Sequence, residues 1–234
     1  VDLKVSIPVG KDSLSMKTKW SDNDNELEVT SPLSGVITAM APVEDITVSV
    51  TPELNLEEDS EILLVKLNNK SRLAGSIFSE VTESQYKDTP DIDDSGQFKI
   101  MFEAIQDIIK DQKILALHDI SDGGLITALL EMCFTKKIGM KLNLNGLNDI
   151  NEELFSEEIG LTLQVKKDVV EQIKNSLIQK NIYVEQIATL EKDNFVIIKN
   201  DEKLFDESIN QLEKYWRETS HAIQSIRDNK TIAD

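Results

Sequence analysis

Cysteine, histidine, proline and aromatic residues are all scarce in this chain of 234 residues: one Cys, two His, five Pro, and Phe, Trp and Tyr together at 5%. A lone cysteine, Cys133, excludes an internal disulfide framework, and no other cysteine or histidine stands near it at metal-ligand spacing. No apolar run approaches the roughly 18–20 residues that a membrane-spanning helix needs, and the first residues lack the basic-then-apolar layout of a secretion signal. Positive charge is in deficit too: 25 Lys and Arg stand against 43 Asp and Glu, a net charge of −18 spread along the chain. That balance argues against nucleic acid and anionic membranes as partners. A reducing, cytoplasmic setting fits the cysteine content. A small anionic ligand such as a nucleotide would need backbone N–H donors and a bridging divalent cation against so acidic a background.

What the chain does have is 40% apolar composition, enough for one substantial core or one core plus a smaller unit. Residues 1–55 read as β-rich. Val1 to Ile7 and Leu14 to Trp20 alternate as strands, Asp22 to Asn25 is a turn, and Val36 to Val43 is a largely apolar strand. The opening strand has no methionine or flexible lead-in, so the chain is expected to begin inside a domain. Pro52 to Glu58 is an acidic connection. From residue 56 to 234 strands and helices alternate. Strands are expected at Ile62–Leu67, Ile114–Leu117, Met140–Leu144, Leu161–Val165 and Phe195–Ile198. Helices are expected at Phe98–Ile109, Leu125–Phe134, Asp168–Gln179 and Lys203–Ser220. The fold class is therefore α/β or α+β, sheet against helices.

The run His118-Asp119-Ile120-Ser121-Asp122-Gly123-Gly124 falls between an apolar strand and an amphipathic helix. Unpaired N–H groups and the positive end of the helix dipole favour phosphate at such a junction. Ser121 offers a hydroxyl, Asp119 a hard oxygen for Mg²⁺, and the glycines permit close backbone approach. The same pattern also describes an ordinary turn with Ser121 or Asp122 capping the helix. Val9-Gly10-Lys11-Asp12-Ser13 is not a Walker loop, since Val5 stands where its first glycine belongs and Asp12 follows the lysine. Asp91 to Gly96 opens like a calcium loop but has Phe102 where a bidentate carboxylate is needed. Cys133 reads as a core residue, and His221 as a surface residue on a charged C-terminal helix. Glu157 and Glu158 read as a solvated helix end, and Tyr215, Trp216 and Ile223 as the packing face of the terminal helix.

Five stretches in order, IPVGKDSLSM (7–16), TSPLS with VED (30–34, 43–45), LHDISDGGL (117–125), LFSEEIG (154–160) and WRETSHAIQSIRDN (216–229), resemble the large form of phosphoribosylformylglycinamidine synthase. The likeness runs nearly end to end. That family is part of a superfamily typified by aminoimidazole ribonucleotide synthetase, with a β-rich N-domain and an α/β C-domain. Other members, such as selenophosphate synthetase, share the scaffold but not the reaction. The large synthase has two such halves, and the resemblance implies an internal fragment of the second: the end of its N-domain (1–55) joined to its C-domain (56–234). It implies ATP-driven conversion of formylglycinamide ribonucleotide to its amidine, with ammonia from glutamine and with Mg²⁺. Asp119 then corresponds to a metal ligand and Ser121 to a nucleotide contact, with ATP or ADP held at an auxiliary site. Gly10 corresponds to a further nucleotide contact, and Lys11 and Ser13 to substrate contacts. The implied partners are the remaining synthetase half and a glutaminase domain, and exposed N-terminal strands would favour a homo-oligomer. The segment by itself is expected to be inactive.

Overall fold

The computed structural model describes residues 2–11, 16–23, 25–31, 34–43, 45–57, 59–145 and 149–228. The chain divides into two compact units, Val1–Ile46 and Thr47–Asp234.

In the first unit, β1 (Lys17–Asp22) and β2 (Asn25–Thr30) form an antiparallel hairpin in the register Lys17↔Thr30 to Asp22↔Asn25. Asn23 takes a left-handed φ of 47° at the turn, which asparagine tolerates better than most residues. Lys17 and Lys19 both pair with Glu28 across the strands, at 2.9 and 3.0 Å. Two expected strands, Val1 to Ile7 and Val36 to Val43, are absent among the described residues: 4–11 and 34–43 carry no regular structure. Apolar content alone does not make a strand, because the backbone needs a neighbouring ladder. Val36 is accordingly 96% exposed, with Ile37 and Met40 nearly as open.

The second unit is built on β3 (Ser60–Lys66), β4 (Ile114–Asp119), β5 (Gly139–Asn143), β6 (Gly160–Lys166), β7 (Tyr183–Glu191), β8 (Asn194–Lys199) and β9 (Glu202–Ser208). Their order in the sheet is β4-β6-β3-β7-β5-β8-β9. The β5–β8 pair is parallel, while the other neighbours run antiparallel. The helices are α1 (Ile77–Val81), α2 (Ser95–Lys110), α3 (Gly124–Lys136), α4 (Ile150–Phe155), α5 (Val170–Ile178) and α6 (Ile209–Arg227).

β3 is buried at every position, as expected of a strand covered on both faces. Its even-numbered apolar residues Ile62 and Leu64 pack with Leu129, Met132 and Cys133 of α3 and Phe195 of β8. Leu63 and Val65 pack on the other face with Met101 and Ile105 of α2 and Ile173 and Leu177 of α5. α2 begins where the side chain of Asp94 accepts the Gln97 N–H at 3.0 Å, an N-cap, and its buried stripe of Met101, Ala104, Ile105 and Ile108 has the spacing of one helix face. The acidic run 91–96 is thus a helix entry rather than a calcium loop.

One expected helix starts later and runs further, to Arg227. Glu202–Ser208 is the strand β9, with Ile197↔Phe205 and Asn194↔Ser208 in register, and α6 starts only after Ser208, whose side chain caps it through the Gln211 N–H. Ile209 and Leu212 pack into the core. Trp216, itself half exposed, meets Phe134 of α3 at a ring separation of 5.6 Å, whereas Tyr215 and Ile223 are exposed and make no such ring contact. The expected packing face is therefore wrong for those two residues.

Candidate functional site

β4 is an edge strand, and its register with β6 carries Asp119 to the last bonded pair, opposite Leu161. The chain then turns, held by the Ile120 N–H donating to the Gly160 carbonyl at 2.9 Å, and enters α3 at Gly124. Asp119 and Ser121 come together: the Ser121 hydroxyl donates to Asp119 Oδ2 at 2.5 Å. The His118 ring lies beside them, its Nδ1 2.7 Å from the Asp119 carbonyl and its Nε2 3.0 Å from Glu131 Oε2. The hydrogen bond from Ser121 holds the Asp119 carboxyl below the usual carboxylate range, with the Asp119 backbone and His118 adding to it and partial burial opposing it. Asp119 is therefore an ionised carboxylate at neutral pH, with its side chain 66% exposed.

The turn is organised differently from a simple phosphate cradle. Neither Ser121 nor Asp122 caps α3; the cap position is Gly123, in a left-handed conformation and without a side-chain hydrogen bond of its own. Its N–H donates instead to Glu157 Oε1 at 2.9 Å, and the same oxygen accepts the Ile77 N–H at the start of α1. The Gly124 N–H donates to the Ser121 carbonyl. Both glycine N–H groups of the motif are thus satisfied internally, and Glu157 places a negative charge at the positive end of α3.

The Glu157–Glu158 pair is not a solvated helix end. Glu158 is 3% exposed and receives two hydrogen bonds from the Arg72 guanidinium, at 2.5 and 2.8 Å, and one from the Arg72 backbone N–H. These bonds, the first cause, and the charge of Asp93 push the Arg72 guanidinium further up from its ordinary value against the cost of its burial. Beside this clamp, the buried Lys66 ammonium donates to Glu153, the Ser71 hydroxyl and the Lys70 carbonyl. Nothing local in the sequence singles out Arg72 or Lys66, because their partners lie 86 and 87 residues away.

Gly10 and Lys11 belong to the first unit, exposed and without regular structure. Gly10 meets nothing that a Cβ would strike. Ser13 lies outside the described residues. Cys133 is fully buried in α3, and burial pushes its thiol up to about 12. It should be inert to aromatic disulfide reagents in the native state and should react only as urea unfolds the second unit. Prompt reaction without denaturant would contradict that.

Among the described residues no group of three or more His, Cys, Asp and Glu could hold a metal ion. A protein-only metal cage is therefore not formed there. A single exposed carboxylate does suit Mg²⁺, which commonly takes one or two protein carboxylates and completes its shell with phosphate oxygens and water. No helix of the described residues is long and apolar enough to cross a membrane.

The domain family described as AIR synthase related protein, C-terminal domain, matches residues 57–199, and this chain belongs to that family. Residues 1–42 match a second domain, the FGAR-AT PurM_N-like domain. Among solved structures, Thermotoga maritima PurL complexed with ATP is 12% identical with a TM-score of 0.59, the match covering 80% of this chain and 28% of that one. T. maritima PurL complexed with FGAR is 13% identical with a TM-score of 0.59, covering 71% and 30%. Phosphoribosylformylglycinamidine synthase II from the same organism is 12% identical with a TM-score of 0.58, covering 80% and 28%. At such identity the structural likeness is one of fold, and this chain spans less than a third of those proteins. The resemblance to phosphoribosylformylglycinamidine synthase and the expected mixed α/β fold are both borne out.

Proposed function

We propose that this chain is a segment of an ATP-dependent, glutamine-using ligase that converts formylglycinamide ribonucleotide to its amidine in purine biosynthesis, and that it works in the cytoplasm. The observation that carries the reading is the pairing of Asp119 with Ser121 at the end of β4, ionised and open to solvent, in a chain of this family. The complexes of PurL with ATP, ADP and FGAR support nucleotide and ribonucleotide as the ligands.

Asp119 would give one oxygen to Mg²⁺, and Ser121 would turn its hydroxyl from that carboxylate to a phosphate oxygen. The metal held by Asp119 would supply positive charge against the phosphates of ATP or ADP. That nucleotide would be the auxiliary one; at a separate place nearer the chemistry Gly10 would contact nucleotide, while Lys11 and Ser13 would meet the ribonucleotide, the Lys11 ammonium near its phosphate. Glutamine hydrolysis would belong to a glutaminase domain, since the buried Cys133 thiol is no nucleophile. The other synthetase half would complete the catalytic centre, so the segment alone should not turn over. The open apolar side chains of 36–43 would favour self-association of the isolated segment.

A second reading, a scaffold that binds no nucleotide, is favoured by one observation: Glu157 already occupies the Gly123 N–H. Calorimetric titration of ADP and ATP, with and without Mg²⁺, separates the two. The proposal expects metal-dependent binding that Asp119→Ala weakens by about tenfold or more. Wild-type protein that shows no heat with Mg²⁺ and nucleotide would leave the scaffold reading standing.

A further inference from the structure

A second polar cluster lies on the sheet well away from the β4–α3 turn. Strand register sets Glu61 of β3 beside Thr189 of β7, and Thr189 beside Lys141 of β5. Directly paired residues share a sheet face, so these three side chains form one row. Gln186 joins the same face through its pairing with Leu63, whose side chain belongs to the layer packed by α2 and α5. That helical layer reaches β7 at Val184 and includes no residue of β5. The row therefore lies where the cover ends. A cleft of about 250 Å³ opens there, lined by Glu61, Lys141, Asn143, Gln186 and Thr189 along with Ile187 and Ala188 of β7.

One group in it is out of balance. Glu61 is only 6% exposed, and its Oε2 has no hydrogen-bond partner. A buried carboxylate oxygen without a donor is costly to leave so, and buried polar groups are nearly always satisfied. The cleft supplies what a donor-bearing ligand would use. Its charged groups are one carboxylate and one ammonium, so their sum is zero. A simple cation would meet Lys141 as well as Glu61, and a simple anion the reverse. A neutral dipolar molecule satisfies both, with the Asn143 and Gln186 carboxamides and the Thr189 hydroxyl left for its remaining polar atoms. Size narrows the choice. The volume falls below the roughly 300–1,000 Å³ of pockets for drug-sized ligands, which excludes a nucleotide.

We propose that this cleft binds a small zwitterion, a free α-amino acid with a short side chain, its ammonium on Glu61 and its carboxylate on Lys141. The site is independent of the nucleotide reading above, because it shares no residue with Asp119, Ser121 or the first unit.

The test titrates the full chain with glycine, and separately with methylammonium and acetate, following backbone amide shifts of β5 and β7. Glycine binding in the millimolar range is expected, with each half-ligand at least roughly tenfold weaker. Glu61→Gln and Lys141→Met should each weaken glycine by at least about tenfold while retaining the native circular dichroism spectrum. Lys141 is exposed, so its variant keeps the test alive if Glu61→Gln does not fold. Methylammonium binding as tightly as glycine would overturn the proposal in favour of a plain cation site. No shift with glycine, or unchanged affinity in both variants, would overturn it outright.

Discussion

Replacing Arg72 with methionine should destabilise the second unit by about 3–5 kcal/mol, because it strands the Glu158 carboxylate without a partner in a buried position. Arg72 joins three parts of the chain. Its Nε and Nη2 hold Glu158, and Nη1 and Nη2 reach both Asp93 oxygens at 3.2 and 3.1 Å. Nη2 also donates to the Asp91 carbonyl, and the Ser156 hydroxyl donates to the Arg72 carbonyl. The guanidinium thus ties the segment after β3 both to the entry of α2 and to the residues leading into β6. In urea the midpoint should fall with the slope unchanged, and a thermal melt should drop by roughly 6–20 °C for a domain of this size. The double variant Arg72→Met with Glu158→Met should regain most of the loss, since an apolar pair leaves no buried charge behind. Arg72→Lys should not rescue, because a single ammonium cannot make the two parallel bonds. A single variant within about 0.5 kcal/mol of wild type would show the clamp to be worth no more than a surface pair.

That clamp also marks the limit of what the sequence discloses. Elements whose signal is local were legible: the 3.6-residue stripe of α2, the apolar core of β3, and the strand–turn–helix around His118 to Gly124. Signals that depend on a distant partner were not. Glu157 and Glu158 look like a solvated acidic pair until Arg72 and the Gly123 and Ile77 N–H groups are brought to them by the fold. Val36 to Val43 has strand composition but, among the described residues, no ladder to join. β7 was missed because Glu185 and Gln186 interrupt its alternation where a bulge shifts its register against β3. β9 has the local pattern of a helix because Leu204 and Phe205 sit at spacing that also suits the helix following them; only pairing with β8 decides it. At the candidate site, the residue types at Asp119 and Ser121 were legible and their hydrogen bond was not.

The glycines of that site lead to the second large expected effect, and it decides what they are for. Gly124→Ala should cost about 2–5 kcal/mol. A left-handed φ of 76° charges an alanine roughly 1–2 kcal/mol. The added Cβ would also fall 2.7 Å from the Phe155 carbonyl carbon and 2.8 Å from the Leu154 carbonyl oxygen, an overpacking that costs roughly 1–3 kcal/mol more because backbone cannot step aside. Gly123→Ala should cost less, about 1–2 kcal/mol. Its φ is 85°, but its Cβ would meet only the Thr127 side chain: rotation about χ1 moves Oγ1 aside, and the Thr127 Cβ, 3.1 Å away, needs to give by only a few tenths of an ångström. The ordering Gly124 above Gly123 in thermal melts follows from α4 packing against the start of α3, with no ligand involved. If the glycines instead served mainly to admit a phosphate, both variants would lose only the similar, small stability that their left-handed φ values cost and would lose nucleotide affinity alike. Loss of stability concentrated at Gly124, with Asp119→Ala losing affinity at full stability, assigns the carboxylate to the ligand and the glycine to the fold.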